Sequence, residues 1–316
     1  MNYAAEILRS QVRLRRASAK RPFRPRRVRT PSRPVALERA WQKKLGAVVE
    51  AARRIVQSTL YPQLPRLYAE ARSTRGDVWA ERRERRQDAY ADAVDLLFQA
   101  IRAAFFGEYS ESEMRRMAEE QARKVSDFSR QNVTKILSNA LGVDVFLAEP
   151  YLKAESDAFV KQNVDLITTV ARGYFDKVEQ AVMGALQRGT RVEDLRDQIE
   201  ARFEPEQNHA MLIARDQVGK FNGQLNMLRQ TELGISRYKW DTSHDERVRG
   251  NPAGIYPNAE PSHWANELQD NGWGPGIWSW DDPPESGHPG EDYQCRCVAI
   301  PVVDVDELAG EGAESS

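Results

Sequence analysis

With 316 residues the chain is long enough for about two domains. It carries 46 Lys+Arg against 47 Asp+Glu, 29% charged residues and a mean hydropathy of −0.66, and no apolar run nears the roughly 20 residues that cross a bilayer, so a membrane protein is not expected. A basic N-terminus with neither a following apolar stretch nor a small-residue cleavage site makes Sec export unexpected as well.

The net charge of −1 hides an asymmetry, because residues 1–36 hold 11 Arg/Lys and one acidic residue, Glu6. That arm is about +10 and the remainder about −11. Residues 13–34 contain four prolines and ten basic residues, too little apolar surface to offset the entropy of ordering. We therefore expect residues 1–36 to form a disordered basic arm. Two uses are open for it: a solvated tail, or contact with nucleic acid or an acidic protein surface through Arg13, Arg15, Arg16, Arg24, Arg26, Arg27 and Arg29. Within 13–34 only Phe23 is aromatic, which gives base stacking little support.

Residues 37–204 read as a helical body. Tyr90, Val94, Leu97, Ile101 and Phe105 recur at spacings of 3 and 4, one face of a helix that stops near Gly107. Ser110 and Glu113 form a capping box before a helix whose stripe is Met114, Met117, Val125, Phe128 and Ile136, with Gly142 at its end. Leu166, Val170, Tyr174, Val178, Val182 and Leu186 mark a third helix. Thr190 and Glu193 open a short helix burying Val192, Leu195 and Ile199, and 205–232 reads as another, interrupted by Gly219 and Gly223. Ordinary helix packing accounts for these stripes.

The pattern changes after Gly234. Residues 235–242 (ISRYKWDT) and 294–303 (QCRCVAIPVV) read as strands around a loop rich in Gly, Pro, Asn and Trp. We expect a mainly α protein, with residues 205–303 a small α+β C-terminal domain and 304–316 a solvated acidic tail. Residues 281–316 carry ten Asp/Glu and one Arg.

No phosphate loop, G-x-S-x-G elbow, H-E-x-x-H or G-x-G-x-x-G after a strand is present, and we assign no catalytic residue. The chemistry-bearing residues gather between Trp240 and Pro301, which holds three of four histidines, both cysteines and five of seven tryptophans. Cys295-Arg296-Cys297 gives no disulfide framework, since a bridge across one residue would be strained, and a reducing cytoplasmic compartment fits. Two apart on a strand, the thiols share a face; with His263 and His288 they make a candidate Cys2His2 set for structural zinc. Reduced thiols and locally bonded histidines are the alternative. Asp245 is expected to fix its loop by pairing with Arg247 or Arg249, or else to act as an acid/base group. The tryptophans line a ligand groove or form the core of a small domain.

Several linked motifs in order resemble the phage Mu F-like minor head proteins: Ala214-Arg215-Asp216-Gln217, Gly234-Ile235, Tyr238-x-Trp240-x-Thr242, Asp245-Glu246-Arg247-Val248-Arg249, Asp281-Asp282-Pro283-Pro284, His288-Pro289-Gly290-Glu291-Asp292 and Cys295-Arg296-Cys297. In that family a histidine follows shortly after Arg-Val-Arg; here Gly250-Asn251-Pro252 intervenes and the next histidine is His263. Trp240, Asp245, Arg247 and Arg249 would be structural motif residues. The resemblance implies a minor capsid or head morphogenesis protein of a tailed bacteriophage, a binder rather than an enzyme. Its partners would be portal and capsid proteins and, through the arm, phage DNA. It would reside in the virion head or portal vertex, and in the host cytoplasm during assembly. The rival readings are a metal-dependent nuclease or toxin-like hydrolase using His244, Asp245, His263 or His288, and a nucleic-acid-binding module acting through the arm alone.

Overall fold

Seven long helices precede a three-stranded sheet in the computed structural model, which describes residues 3–75 and 80–309, with side chains of all but 74–89. In chain order they are α1 (Tyr3–Ala17), α2 (Val35–Leu60), α3 (Leu64–Arg75), α4 (Ala80–Glu108), α5 (Glu111–Leu141), α6 (Leu152–Arg188) and α7 (Val192–Glu232). Then come β1 (Arg237–Asp241), α8 (His263–Leu268), β2 (Ile277–Ser279), β3 (Val298–Pro301) and α9 (Val305–Ala309). The mainly α class with a small α+β part is what the sequence led us to expect.

The chain divides into two units that do not follow the linear division expected at 204/205. One comprises Arg39–Glu120 and Val160–Ala214; the other comprises Met1–Glu38, Gln121–Phe159 and Arg215–Ser316. The first is helical, with Phe98, Ile101, Phe105, Phe175 and Val178 fully buried. Phe105 stacks on Tyr109 at 5.2 Å and meets Phe175 edge-on at 5.4 Å. Glu200 accepts hydrogen bonds there from Gln57, Tyr61 and Arg53. Burial works to raise its pKa, but those donors hold it below the ordinary carboxylate range.

The second unit corrects the expected disordered arm. Residues 3–17 are a helix because Ala4, Ala5, Leu8 and Val12 repeat at helical spacing and all four are buried. Glu6 in its first turn and Arg15 and Arg16 in its last suit the helix dipole. This apolar face packs in one cluster with Val133, Leu137 and Leu141 of α5, Leu233, Ile235, and Val305 and Leu308 of α9. Arg13 donates to the Ala309 carbonyl at 2.8 Å, and Arg16 pairs with Asp306 at 3.0 Å. Residues 21–34 have no regular structure but are tied to α5: the Arg26 N–H donates to Ala140 O at 2.9 Å, and Asn132 Nδ2 to Ser32 O at 2.9 Å. The acidic tail is corrected in the same way over 304–309, where α9 buries Val305, Leu308 and Ala309; residues 310–316 lie outside the described residues.

Local signals explain several boundaries. Ser110 Oγ caps α5 by accepting from the Glu113 N–H at 3.3 Å, and Gly142 ends it at φ +66°, a conformation costly for other residues. The two helices expected over 192–199 and 205–232 are one, running through Pro205. In this unit the sheet order is β2-β1-β3, antiparallel throughout, with Tyr238 opposite Trp278 and Trp240 opposite Ala299. Tyr238 and Trp240 lie on one face of β1 and are fully buried, whereas Lys239 between them is exposed. β2 was not anticipated, since three residues are too short to show an alternating pattern.

Candidate functional site

The site is assembled inside the second unit by the loops on either side of β1 and β3. Trp278 and Trp280 join Tyr238, Trp240, Cys297 and Ala299 in one buried cluster, so these tryptophans act as core; Trp273 is exposed. His288 belongs to this cluster. Its Nδ1 lies 3.1 Å from Tyr238 Oη, and its ring sits 5.0 Å from that of Trp280. Burial lowers its pKa, with Glu291 opposing.

Cys295 and Cys297 precede β3 rather than lying in it, yet their alternation still turns both sulfurs the same way. His263 meets them there as the first residue of α8, a helix capped by Ser262 Oγ accepting from the Ala265 N–H at 3.1 Å. His263 Nδ1 lies 3.7 Å from Cys295 Sγ and 3.5 Å from Cys297 Sγ. Of the four residues expected to hold a metal, the structure brings together His263, Cys295 and Cys297, whose ligand atoms lie mutually within 4.8 Å. His288 is withdrawn because its ring is spent on Tyr238 and Trp280.

The surroundings of these three residues are organised. His263 Nε2 faces Asp292 Oδ2 at 3.1 Å, a contact that places the proton on Nε2 and leaves the Nδ1 lone pair toward the sulfurs. Asp292 in turn pairs with Arg249, which also donates to the Tyr293 carbonyl at 2.8 Å. The Gly290 N–H points at Cys295 Sγ, 3.3 Å away. The hydrogen bond from Cys297 and the Gly290 N–H hold the Cys295 thiol well below its ordinary range, against burial; the same bond to Cys297 and burial push Cys297 up.

The loop-fixing role expected of Asp245 involves other partners than those anticipated. Its carboxylate grips the guanidinium of Arg296, which stands between the cysteines, and accepts from the Arg247 backbone N–H at 2.9 Å. Despite burial, these donors keep Asp245 below the usual carboxylate range. Arg249 goes to Asp292 instead, and the Arg247 side chain is exposed. Two further residues, quoted in the motifs but given no role, complete the frame: Arg215 bonds the Gln294 side chain, and Asp216 Oδ1 accepts from the Gln294 N–H at 2.5 Å. Gln294 needs that grip because its φ is +57°.

A separate group lies beyond the end of β1. The exposed His244 faces Asp241 at 3.2 Å and Glu267 at 3.5 Å, and Thr242 Oγ1 donates to Glu267 at 2.7 Å. Of the arginines assigned to nucleic acid, Arg15, Arg24, Arg26, Arg27 and Arg29 are exposed, as is Arg13, which bonds the Ala309 carbonyl, while Arg16 is half-buried and pairs with Asp306.

A small antiparallel sheet bordered by α7 and edged by Cys-x-Cys is thus the feature that carries the linked motifs. Residues 176–300 match the family described as Phage Mu protein F like protein, so this segment is Mu F-like. A protein of Haemophilus influenzae that bears only the name "Uncharacterized protein" is 35% identical over 222 residues, covering 66% of this chain and 46% of that protein. The chain spans about half the length of that relative. No solved structure matches, and no helix among the described residues is long and apolar enough to cross a membrane.

Proposed function

We propose that the protein is a minor head protein of a tailed bacteriophage, acting in procapsid assembly at or near the portal and in DNA packaging or ejection. The observation that carries this reading is the Mu F-like match over 176–300. That segment contains every residue of the frame around Cys295 and Cys297. Its work is binding rather than turnover: the Asp245 carboxylate, one of the acid/base candidates of the sequence, is occupied by Arg296 and the Arg247 N–H. Portal and capsid proteins are the partners, the head interior or portal vertex is the final location, and the host cytoplasm is the place of assembly. Phage DNA is met through the exposed Arg24, Arg26, Arg27 and Arg29.

The test is co-expression of the full chain with the portal and major capsid proteins of its own genome, with the affinity tag placed on each partner in turn. Retention of the portal with this chain at moderate salt is the expected outcome. A folded, helical chain that retains neither partner with either tag would overturn the reading.

A further inference from the structure

The group formed by His263, Cys295 and Cys297 does more than fill space. We propose that His263 Nδ1 and the sulfurs of Cys295 and Cys297 bind one zinc ion through three protein ligands, with a water molecule in the fourth position. The inference is independent of the role in phage assembly.

Geometry is its first support. A tetrahedral ion with Zn–S of about 2.3 Å and Zn–N of about 2.0–2.1 Å places nitrogen and sulfur roughly 3.6 Å apart. The distances found are 3.5 and 3.7 Å. Second, the ligands are held as metal ligands are held. Asp292 takes the Nε2 side of the imidazole and Arg249 secures Asp292, the carboxylate–histidine arrangement that fixes a ligating ring. The Gly290 N–H is directed at Cys295 Sγ, a donor suited to a thiolate.

Third, an unsatisfied buried acceptor borders a cavity that both cysteines line. Both cysteines line a cavity of about 20 Å³ together with Asn222 and Asn226, room for about one water. Asn222 is 5% exposed, and its Oδ1 has no hydrogen-bond partner among the described residues, an expensive state for a buried acceptor. A water on the metal would donate to it. On binding, each thiol gives up its proton to solvent and the metal–sulfur bonds replace the S–H bonds. Three protein ligands and an exchangeable fourth separate this site from a closed structural zinc site.

The experiment uses the full chain purified without chelators, followed by elemental analysis and titration of the stripped protein with Zn2+ and Co2+. About one zinc per chain is expected, and Co2+ should give thiolate charge-transfer bands with the visible spectrum of a four-coordinate ion. His288→Gln should keep the metal with unchanged affinity. Asp292→Asn should weaken binding roughly 10-fold or more, and Cys295→Ser/Cys297→Ser should abolish the charge-transfer bands. The wild-type cobalt spectrum needs no variant to fold. Absence of zinc in the purified protein together with absence of those bands would overturn the proposal. So would a His288→Gln protein that is folded but metal-free, since it would restore a four-ligand set.

Discussion

Asp245 and Arg249 illustrate what a sequence tells at the scale of the residue. Their types, opposite charges crowded after a strand, point to ion pairs within the loop, and both residues do pair, but with groups from elsewhere. The partners were out of reach, because the chain reverses between them: Arg296 and Asp292 lie 51 and 43 positions away. Proximity in sequence favoured Arg247, whose side chain points to solvent while its backbone N–H does the work. His288 was misassigned on similar grounds, since seven residues from Cys295 is close in sequence but its ring faces Tyr238.

That placement has a pH consequence. Burial disfavours imidazolium, so the folded pKa of His288 lies below its ordinary 6.5 and the unfolded chain binds more protons between the two values. The stabilising contribution is complete above about pH 6.5 and is lost as pH falls through the folded pKa. The melting temperature of the wild type should therefore drop on acidification through this range, and a His288→Gln protein should lose less. Equal slopes for the two proteins would refute the assignment.

At the scale of the element, helices were legible where an apolar stripe ran uninterrupted and illegible where something else overrode propensity. Gly219 and Gly223 counted against the helix over 205–232, yet both are inside α7. For Gly223 the reason is tertiary: a Cβ there would stand 2.9 Å from the Pro289 carbonyl oxygen, next to Gly290. The small residue lets the loop that leads to Cys295 lie directly on the helix. For α1 the signal was present in the spacing of Ala4, Leu8 and Val12 but was outweighed by the charge of the whole arm. No sequence pattern marks β2, which gains its place by pairing with β1.

Alanine should thus have opposite effects in two helices. At Gly173 of α6 no atom lies within 4 Å of the added Cβ, and Gly173→Ala should stabilise by up to about 1 kcal/mol through helix propensity. At Gly223 the same gain competes with overpacking against backbone, which costs about 1–3 kcal/mol. Gly223→Ala should lower stability by about 1 kcal/mol, as measured by urea denaturation. A stabilised Gly223→Ala protein would show that the loop does not rest on the helix.

On the scale of the whole molecule, the charge asymmetry survives but changes meaning. Part of the basic arm meets the acidic C-terminal stretch internally: Arg16 pairs with Asp306, and Arg13 donates a hydrogen bond to the Ala309 carbonyl. The remaining exposed arginines are the ones available to phosphates. If each neutralises one phosphate of duplex DNA, the slope of log affinity against log salt carries about 0.9 per contact. Replacing Arg24, Arg26, Arg27 and Arg29 together by Ala should reduce that slope by about 3–4, measured by fluorescence anisotropy over a salt series. An unchanged slope would move any DNA contact to another surface.

The packing of α1 against α9 also sets an order of events during synthesis. The Arg13 to Ala309 hydrogen bond joins residues 296 positions apart, and translation at about 5–20 residues per second leaves roughly 15–60 s between the emergence of the two. For that interval Leu8 and Val12 have no α9 to close over them, and the cluster they share with Val305 and Leu308 is completed only once those residues have emerged. A nascent chain halted before residue 305 can pack α1 against α5, Leu233 and Ile235 but lacks Val305 and Leu308, so its apolar cluster stays open on the α9 side.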